Sequence, residues 1–360
     1  MPAWHMESIE TADLIVAGTD HRFLSLEQRE SFHLDGPGRE RIGAMLMQLF
    51  GVHEFMLLNT CNRVEIMAVA SHATASGGLL CHALGFDRLP ADRYYQWRGA
   101  AAWEHSALVC AGLLSQTPGE YHVAAQIKEA LAEALRQGWA AGMMQQWMAS
   151  VLHLSKHIKN DAAPLVPVCE IEDLALRLLA DRGALRDDKT ILVIGSGMVG
   201  RELVRNAAAV AGKIIWCYHR HPPELPEAWT SRVETCMMNE LDGRLPEADA
   251  LVCAMDAPGF VLHGGHADLI GRTRPVVMVD LGVPRNVDPA LGRLLPAAEL
   301  VDLEKLNQVY GSGRDATAVA LEGCRNIIHA HREQYERLMA SFQGGNTRQS
   351  AGVDPATAGG

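Results

Sequence analysis

The stretch TILVIGSGMVG, residues 190–200, constrains the fold of this chain more than any other. An apolar strand runs straight into Gly195-Ser196-Gly197-Met198-Val199-Gly200, a G-x-G-x-x-G sequence, and a helix opens behind it. Alone the pattern is weak, and a glycine-rich turn without a ligand is the bland reading. Between a strand and a helix it acquires a mechanical meaning. The glycines permit a tight turn and close backbone approach, and the helix N-terminus faces a pyrophosphate. Further strand-like runs follow, KIIWCY, ADALVCAM, PVVMVDLG and AELVDL, alternating with helical or loop segments. Such alternation predicts a parallel sheet with crossover helices, so residues 161–312 read as a Rossmann-type domain. Its second strand ends in Tyr218-His219-Arg220-His221, with no acid to accept a ribose 2′-hydroxyl. An arginine there suits a 2′-phosphate, which favours NADPH over NADH and makes Arg220 a cofactor contact.

Upstream, residues 1–160 read as a separate α/β domain. ADLIVA (12–17) predicts a first strand, Ser25 an N-cap, and 39–50 a helix. EFMLL and VEIMAVA are two β-type runs separated by Asn59-Thr60-Cys61-Asn62-Arg63. Helices are expected at about 101–115, 119–138 and 142–159, the second with Val123, Ile127, Leu131 and Leu135 on one stripe. The two prolines of NDAAPLVPV mark the boundary. After Asp302 a polar–apolar pattern predicts one connecting helix, assigned to 313–342. The segment 343–360 lacks apolar anchors and is expected to be disordered.

At 360 residues the chain has room for about two domains. With 48% hydrophobic and 21% charged residues it has the composition of an ordinary globular protein. Its apolar runs fall short of the roughly 20 residues a membrane span requires, and MPAWHMESIE shows no secretory pattern. Eight cysteines without a C-x-x-C pair argue against a cysteine zinc site or a disulfide framework. Cytosol is the expected compartment, with no metal and no membrane. A net charge of −11 argues against DNA or non-specific nucleic-acid binding, while leaving room for a local basic face that docks a tRNA.

Cys61 carries the chemical question. A lone cysteine is most often a small buried hydrophobe. This one lies at a strand-to-strand connection, with Arg63 close enough to influence a thiolate or bind a carboxylate. A thiol nucleophile and a nicotinamide site in one chain suggest thioester chemistry, in which hydride reduces an acyl thioester to an aldehyde.

The motif NTCNRVEI resembles the cysteine motif of the glutamyl-tRNA reductase family. The likeness continues in GTDHRFLSLEQRESF, in EHSALVCAGLLSQTPGEYHVAAQIKEAL, in GSGMVG and in VVMVDLGVPRNVDP followed by VDLEKL, covering about 12–305 in order. The resemblance implies NADPH-dependent reduction of glutamyl-tRNA to glutamate-1-semialdehyde, the entry to tetrapyrrole synthesis, with a downstream aminomutase as a possible partner. It implies that Cys61 accepts the acyl group, that Arg63 holds the substrate carboxylate, and that Thr60 and Asn62 shape the pocket. His105 would tune the thiol or relay a proton, and Ser115, Glu120 and Gln126 would complete the walls. His105 as a structural histidine, and Ser115 and Glu120 as helix caps, are the bland alternatives.

The sequence also departs from the family pattern. Leu114 and His122 stand where an aspartate and a glutamine are usual, Lys159-Asn160-Asp161-Ala162 replaces an R-T-x-T stretch, and His219-Arg220-His221 replaces an N-R-T type triplet. The dimerisation domain expected after the connecting helix is missing from the pattern, which predicts a monomer or weak dimer. Two other functions stay open: reduction of another aminoacyl-tRNA or carrier-bound acyl group, and a non-catalytic paralogue that binds tRNA or a partner.

Overall fold

Strands β1 (Ala12–Asp20), β2 (Val52–Asn59), β3 (Arg63–Ser71) and β4 (Tyr95–Arg98) form an antiparallel sheet in the order β2-β3-β1-β4. β1 and β3 are buried along almost their whole length. Their runs LIVA and IMAVA are therefore continuously apolar instead of alternating, because helices cover both faces. Gly77–Ala83 and Ala100–Cys110 pack on β1, and Gly142–Ala162 packs on β3. The last of these buries Met144, Trp147, Met148, Val151, Leu154 and Ile158, a stripe at three- and four-residue spacing. The short β4, YQWR, escaped sequence reading because two of its four side chains are polar or charged.

The computed structural model describes residues 12–71, 77–162, 169–310 and 314–350; the predicted proline-rich boundary lies largely outside them, as do residues 351–360. Contacts group Met1–Leu24, Leu34–Pro167 and Arg314–Gly360 into one unit, and Ser25–His33 with Val168–Gly313 into another. Residues 25–33 thus fall inside the predicted 1–160 domain yet cluster with the second unit. Their helix, Leu26–Glu30, is capped by Ser25 and Gln28. It is tied down by the Arg285 guanidinium, which donates from Nε and Nη2 to Glu30 at 2.8 and 2.7 Å.

The second unit holds six parallel strands, β5 (Thr190–Ile194), β6 (Lys213–Tyr218), β7 (Val233–Met237), β8 (Ala250–Cys253), β9 (Val277–Asp280) and β10 (Glu299–Asp302). Their order is β10-β9-β8-β5-β6-β7. This is the doubly wound α/β arrangement, with the order reversing at β5, so the predicted fold class holds. The edge strand β7, VETCM, was not predicted, since its polar residues mask the pattern.

The single helix expected over 313–342 is two, Arg314–Ala330 and Arg332–Ser350, preceded by Leu303–Tyr310. At His331 the backbone N–H is shared between the carbonyls of Ile328 (3.0 Å) and Ile327 (3.2 Å), and the regular ladder stops. The second helix also takes in 343–350, part of the segment expected to be disordered. Tyr335 rests on Trp103, and the Ser341 hydroxyl donates to Gln146 Oε1 at 2.6 Å, so this pair of helices packs within the first unit.

Gly18 lies opposite Glu65 across β1 and β3, and a Cβ there would come 2.5 Å from Glu65 Cγ and 2.9 Å from the Val64 carbonyl oxygen. Gly18→Ala is expected to lower the unfolding free energy by roughly 1–3 kcal/mol through overpacking. The readout is a lower urea midpoint at an unchanged slope. An unshifted midpoint would mean that Glu65 can move aside at no cost.

Candidate functional site

Thr60, Cys61 and Asn62 form the hairpin loop between β2 and β3. The Thr60 N–H donates to the Arg63 carbonyl at 2.9 Å, and Thr60 Oγ1 accepts from the N–H groups of Asn62 (3.1 Å) and Arg63 (3.3 Å). Thr60 thereby closes the turn on both sides of Cys61, which remains half-buried. The segment after helix Ala100–Cys110 folds back over this loop. Asn62 Oδ1 accepts from the Gln116 N–H (3.2 Å), and Asn62 Nδ2 donates to Glu120 Oε1 (3.1 Å). Lys159 Nζ stands 4.2 Å from the Tyr121 ring centroid and donates to the Glu120 carbonyl at 3.4 Å. Ser115 is buried in the same segment, and Gln126 is half-buried on helix His122–Arg136.

Beneath the loop the strand register gathers charge. Asp20 pairs with Arg63, and Gly18 pairs with both Glu65 and Tyr95, so the side chains of 20, 63, 65 and 95 share one face. Glu65 Oε1 accepts from Arg63 Nη1 (2.9 Å), His105 Nε2 (2.9 Å) and the Tyr95 hydroxyl. A carboxylate only accepts, so the His105 proton facing it is on Nε2. Arg63 Nη2 donates to the Leu114 carbonyl, and Asp20 accepts from Arg22 Nη2 at 2.6 Å. Within this structure two carboxylates stand beside Arg63 Nη1, Glu65 at 2.9 Å and Asp20 at 3.7 Å.

Burial works against the Glu65 charge, but His105 and Arg63 outweigh it and hold the carboxyl well below its ordinary range. Burial likewise opposes the Asp20 charge, and the hydrogen bonds of Arg22 with the Arg63 charge bring its pKa down. Burial, then the Glu65 charge, push the Tyr95 phenol well up, so it stays a donor. Three buried polar atoms of this region have no hydrogen-bond partner: Arg63 Nε, Glu65 Oε2 and Ser115 Oγ.

The other cysteines have a different setting. Burial raises the thiols of Cys81 and Cys324 to about 11 and lifts those of Cys110, Cys169, Cys217, Cys236 and Cys253. Cys61 is half-buried, as Cys169 is, and is set apart by its place in the loop between β2 and β3.

In the second unit the three fingerprint glycines divide the work. Gly195 has φ +123°, and a Cβ on it would lie 2.3 Å from the Ala254 carbonyl oxygen; one on Gly200 would lie 2.2 Å from the Gly195 carbonyl oxygen. Gly197 has open space within 4 Å of its Cβ position, at the N-cap of helix Met198–Ala207. Trp216 Nε1 donates to the Gly195 carbonyl at 2.9 Å and anchors the turn to β6. Ser196 and Val199 are half-buried, Met198 is exposed, and Arg220 is exposed just beyond the end of β6. Tight strand–helix contact on both sides of one open glycine is the cradle a pyrophosphate requires.

The model for the glutamyl-tRNA(Glu) reductase N-terminal domain matches residues 17–162, and that for shikimate/quinate 5-dehydrogenase matches 177–309. Glutamyl-tRNA reductase from Deinococcus radiodurans is 27% identical over 325 residues, spanning 88% of this chain and 90% of the relative. Along most of its length this chain is similar to glutamyl-tRNA reductases. The Thermus thermophilus glutamyl-tRNA reductase is 29% identical over 311 residues, 85% of this chain and 75% of that protein. Among solved structures, glutamyl-tRNA reductase from Methanopyrus kandleri aligns with 93% of this chain and 82% of its own, at 20% identity and a TM-score of 0.48. Among the described residues no helix is long and apolar enough to cross a membrane.

Sequence reading missed Asp20, Arg22, Glu65, Tyr95, Gln116 and Lys159 as members of this site. A trace of the cluster was visible, since Arg63 and Glu65 are charged two residues apart at the head of an otherwise apolar strand.

Glu65 and Asp20 have folded pKa values below their unfolded ones, so their contribution to stability is complete at neutral pH. It is lost as pH falls below about 4, where the unfolded carboxylates take up protons first. Asp280 acts oppositely: burial pushes it up to about 6, so it adds stability as pH falls through that value. The comparison that isolates the cluster is wild type against Glu65→Gln. The variant is expected to be less stable at pH 7 and to lose less on acidification to pH 3 in denaturant titrations. Parallel pH curves would show that Glu65 is not ionised in the fold.

Proposed function

We propose that this chain reduces glutamyl-tRNA to the α-amino aldehyde, with NADPH as reductant and a thioester on Cys61 as the intermediate. The observation that carries this reading is the placement of Cys61. It is half-buried on a turn that Thr60 and Asn62 hold, next in sequence to the unpaired buried donor Arg63 Nε, and the segment that Asn62 ties to this turn carries a second one, Ser115 Oγ. A buried donor without a partner costs about 1–3 kcal/mol, which a substrate oxygen would recover.

Cys61 Sγ, as thiolate, attacks the ester carbonyl carbon. The bond to the ribose oxygen breaks, and that oxygen leaves with a proton as the free tRNA end. Thr60 fixes the direction of attack, and Glu120 keeps Asn62 in place beside it. Arg63 keeps its positive charge at any working pH, because the Glu65 carboxylate is permanently beside it. His105, oriented by Glu65 against Tyr95, is the proton-handling group, and Gln126 lines the substrate side. Gly195–Gly200 would hold NADPH, whose chemistry there is hydride donation to the thioester carbonyl carbon, so that the C–S bond breaks, the aldehyde forms and Cys61 leaves as thiolate. Arg220 takes the 2′-phosphate. The aldehyde is then a substrate for an aminomutase.

With radiolabelled glutamyl-tRNA and no NADPH, wild-type protein is expected to gain one acyl group at Cys61, seen by mass spectrometry, while Cys61→Ser gains none and still binds NADPH. Labelling that persists in Cys61→Ser removes the thioester. NADPH is expected to bind more tightly than NADH, with Arg220→Ala losing roughly tenfold to a hundredfold for NADPH alone, the worth of a charge-assisted hydrogen bond. Equal affinities in wild type would remove Arg220 from the cofactor site. An NADPH-binding protein that retains glutamyl-tRNA without acylation or turnover would instead be the non-catalytic paralogue.

A further inference from the structure

His153 and His157 stand one turn apart on helix Gly142–Ala162, and their Nε2 atoms are 3.3 Å apart. Two imidazole nitrogens at that separation share either a proton or an ion. Zinc holds imidazole nitrogen at about 2.0–2.1 Å, so two ligands at the tetrahedral angle stand about 3.3–3.4 Å apart. The pair already has that bite.

A third imidazole comes from the turn between the two C-terminal helices. The His331 ring centroid lies 5.1 Å from that of His157, with the planes inclined by 33°. His331 Nδ1 is 2.8 Å from the Ile327 carbonyl oxygen. A carbonyl only accepts, so Nδ1 carries the proton and Nε2 keeps its lone pair. That is the tautomer, and the outer partner, of a metal-bound histidine. A simple hydrogen bond explains the 153–157 pair. It does not explain a third ring beside them whose Nδ1 is already tied to a carbonyl. His153 is exposed and the other two are half-buried, so an ion can enter from solvent.

We propose that His153, His157 and His331 bind one divalent, imidazole-preferring ion, best matched by zinc, with water as fourth ligand. Closure requires the His331 ring to tilt toward the pair. The ion then clamps helix Gly142–Ala162 to the turn between Arg314–Ala330 and Arg332–Ser350, all within the first unit. The absence of C-x-x-C pairs has no bearing on this site, because every protein ligand is an imidazole. None of the three residues takes part in the proposed reaction.

The test uses the full chain with any affinity tag removed, titrated with zinc chloride by calorimetry and with cobalt chloride by visible absorption. One ion per chain is expected, with the intense bands of tetrahedral cobalt. His157→Ala and His331→Gln are each expected to weaken binding at least about tenfold, the scale lost with even an outer partner of a metal ligand. A second histidine pair, His263 and His266 with ring centroids 4.1 Å apart, supplies the control: His266→Ala should bind as wild type does. Circular dichroism without metal confirms that each variant folds, and His157→Gln replaces the alanine variant if it does not. No binding by wild type, undiminished binding in the His157 or His331 variants, or loss confined to His266→Ala would overturn the proposal.

Discussion

A carboxylate without access to water holds the first unit together. Glu65 sits fully buried on β3, an inner strand of the sheet, where an unpaired charge would cost several kcal/mol. Its Oε1 is met by donors from three places: Arg63 on its own strand, Tyr95 on β4 and His105 on helix Ala100–Cys110. Each donor can arrive only if β1, β3 and β4 keep one register and the helix lies at one height. Gly18 leaves the space into which the Glu65 stem fits. A slip of one residue would turn the whole set to the other face and strand the charge. The cluster thus selects one arrangement of the sheet, whatever its net contribution to stability.

The cysteine loop inherits that order. Arg63, the first residue of β3, is clamped by Glu65 below and the Leu114 carbonyl above, so the chain leaves the loop in a set direction. Thr60 and Asn62 complete the turn, and Asn62 reaches Gln116 and Glu120 in the segment that closes over it. For the nucleophile proposed at Cys61, such a fixed loop would settle orientation before substrate arrives. The second unit solves a different problem by the same means. Gly195 and Gly200 pack against backbone carbonyls, Trp216 holds the turn from below, and Gly197 stays open.

The legible parts of the chain were those whose physics is local. GSGMVG between an apolar strand and a helix, the N-cap Ser25, and the stripe Val123, Ile127, Leu131 need only a few neighbouring residues to be read. β4 and β7 were missed because four or five residues of mixed polarity carry no period, and neighbouring strands supply their stability. The break at His331 was missed because the pattern on either side is helical, and a carbonyl shared between backbone and side chain leaves no mark on periodicity.

The sequence by itself determined the two-part α/β organisation, the dinucleotide turn and the cysteine motif, since periodicity, glycine placement and spacing act over short stretches of chain. Only the tertiary structure decided what surrounds Arg63. Asp20, Glu65, Tyr95, His105 and Leu114 are scattered over 95 positions of sequence and become neighbours through strand register and helix packing. Long-range pairing likewise placed residues 25–33 with the second unit and set His331 beside His157, because such contacts depend on where the chain returns in space, and no local pattern encodes that.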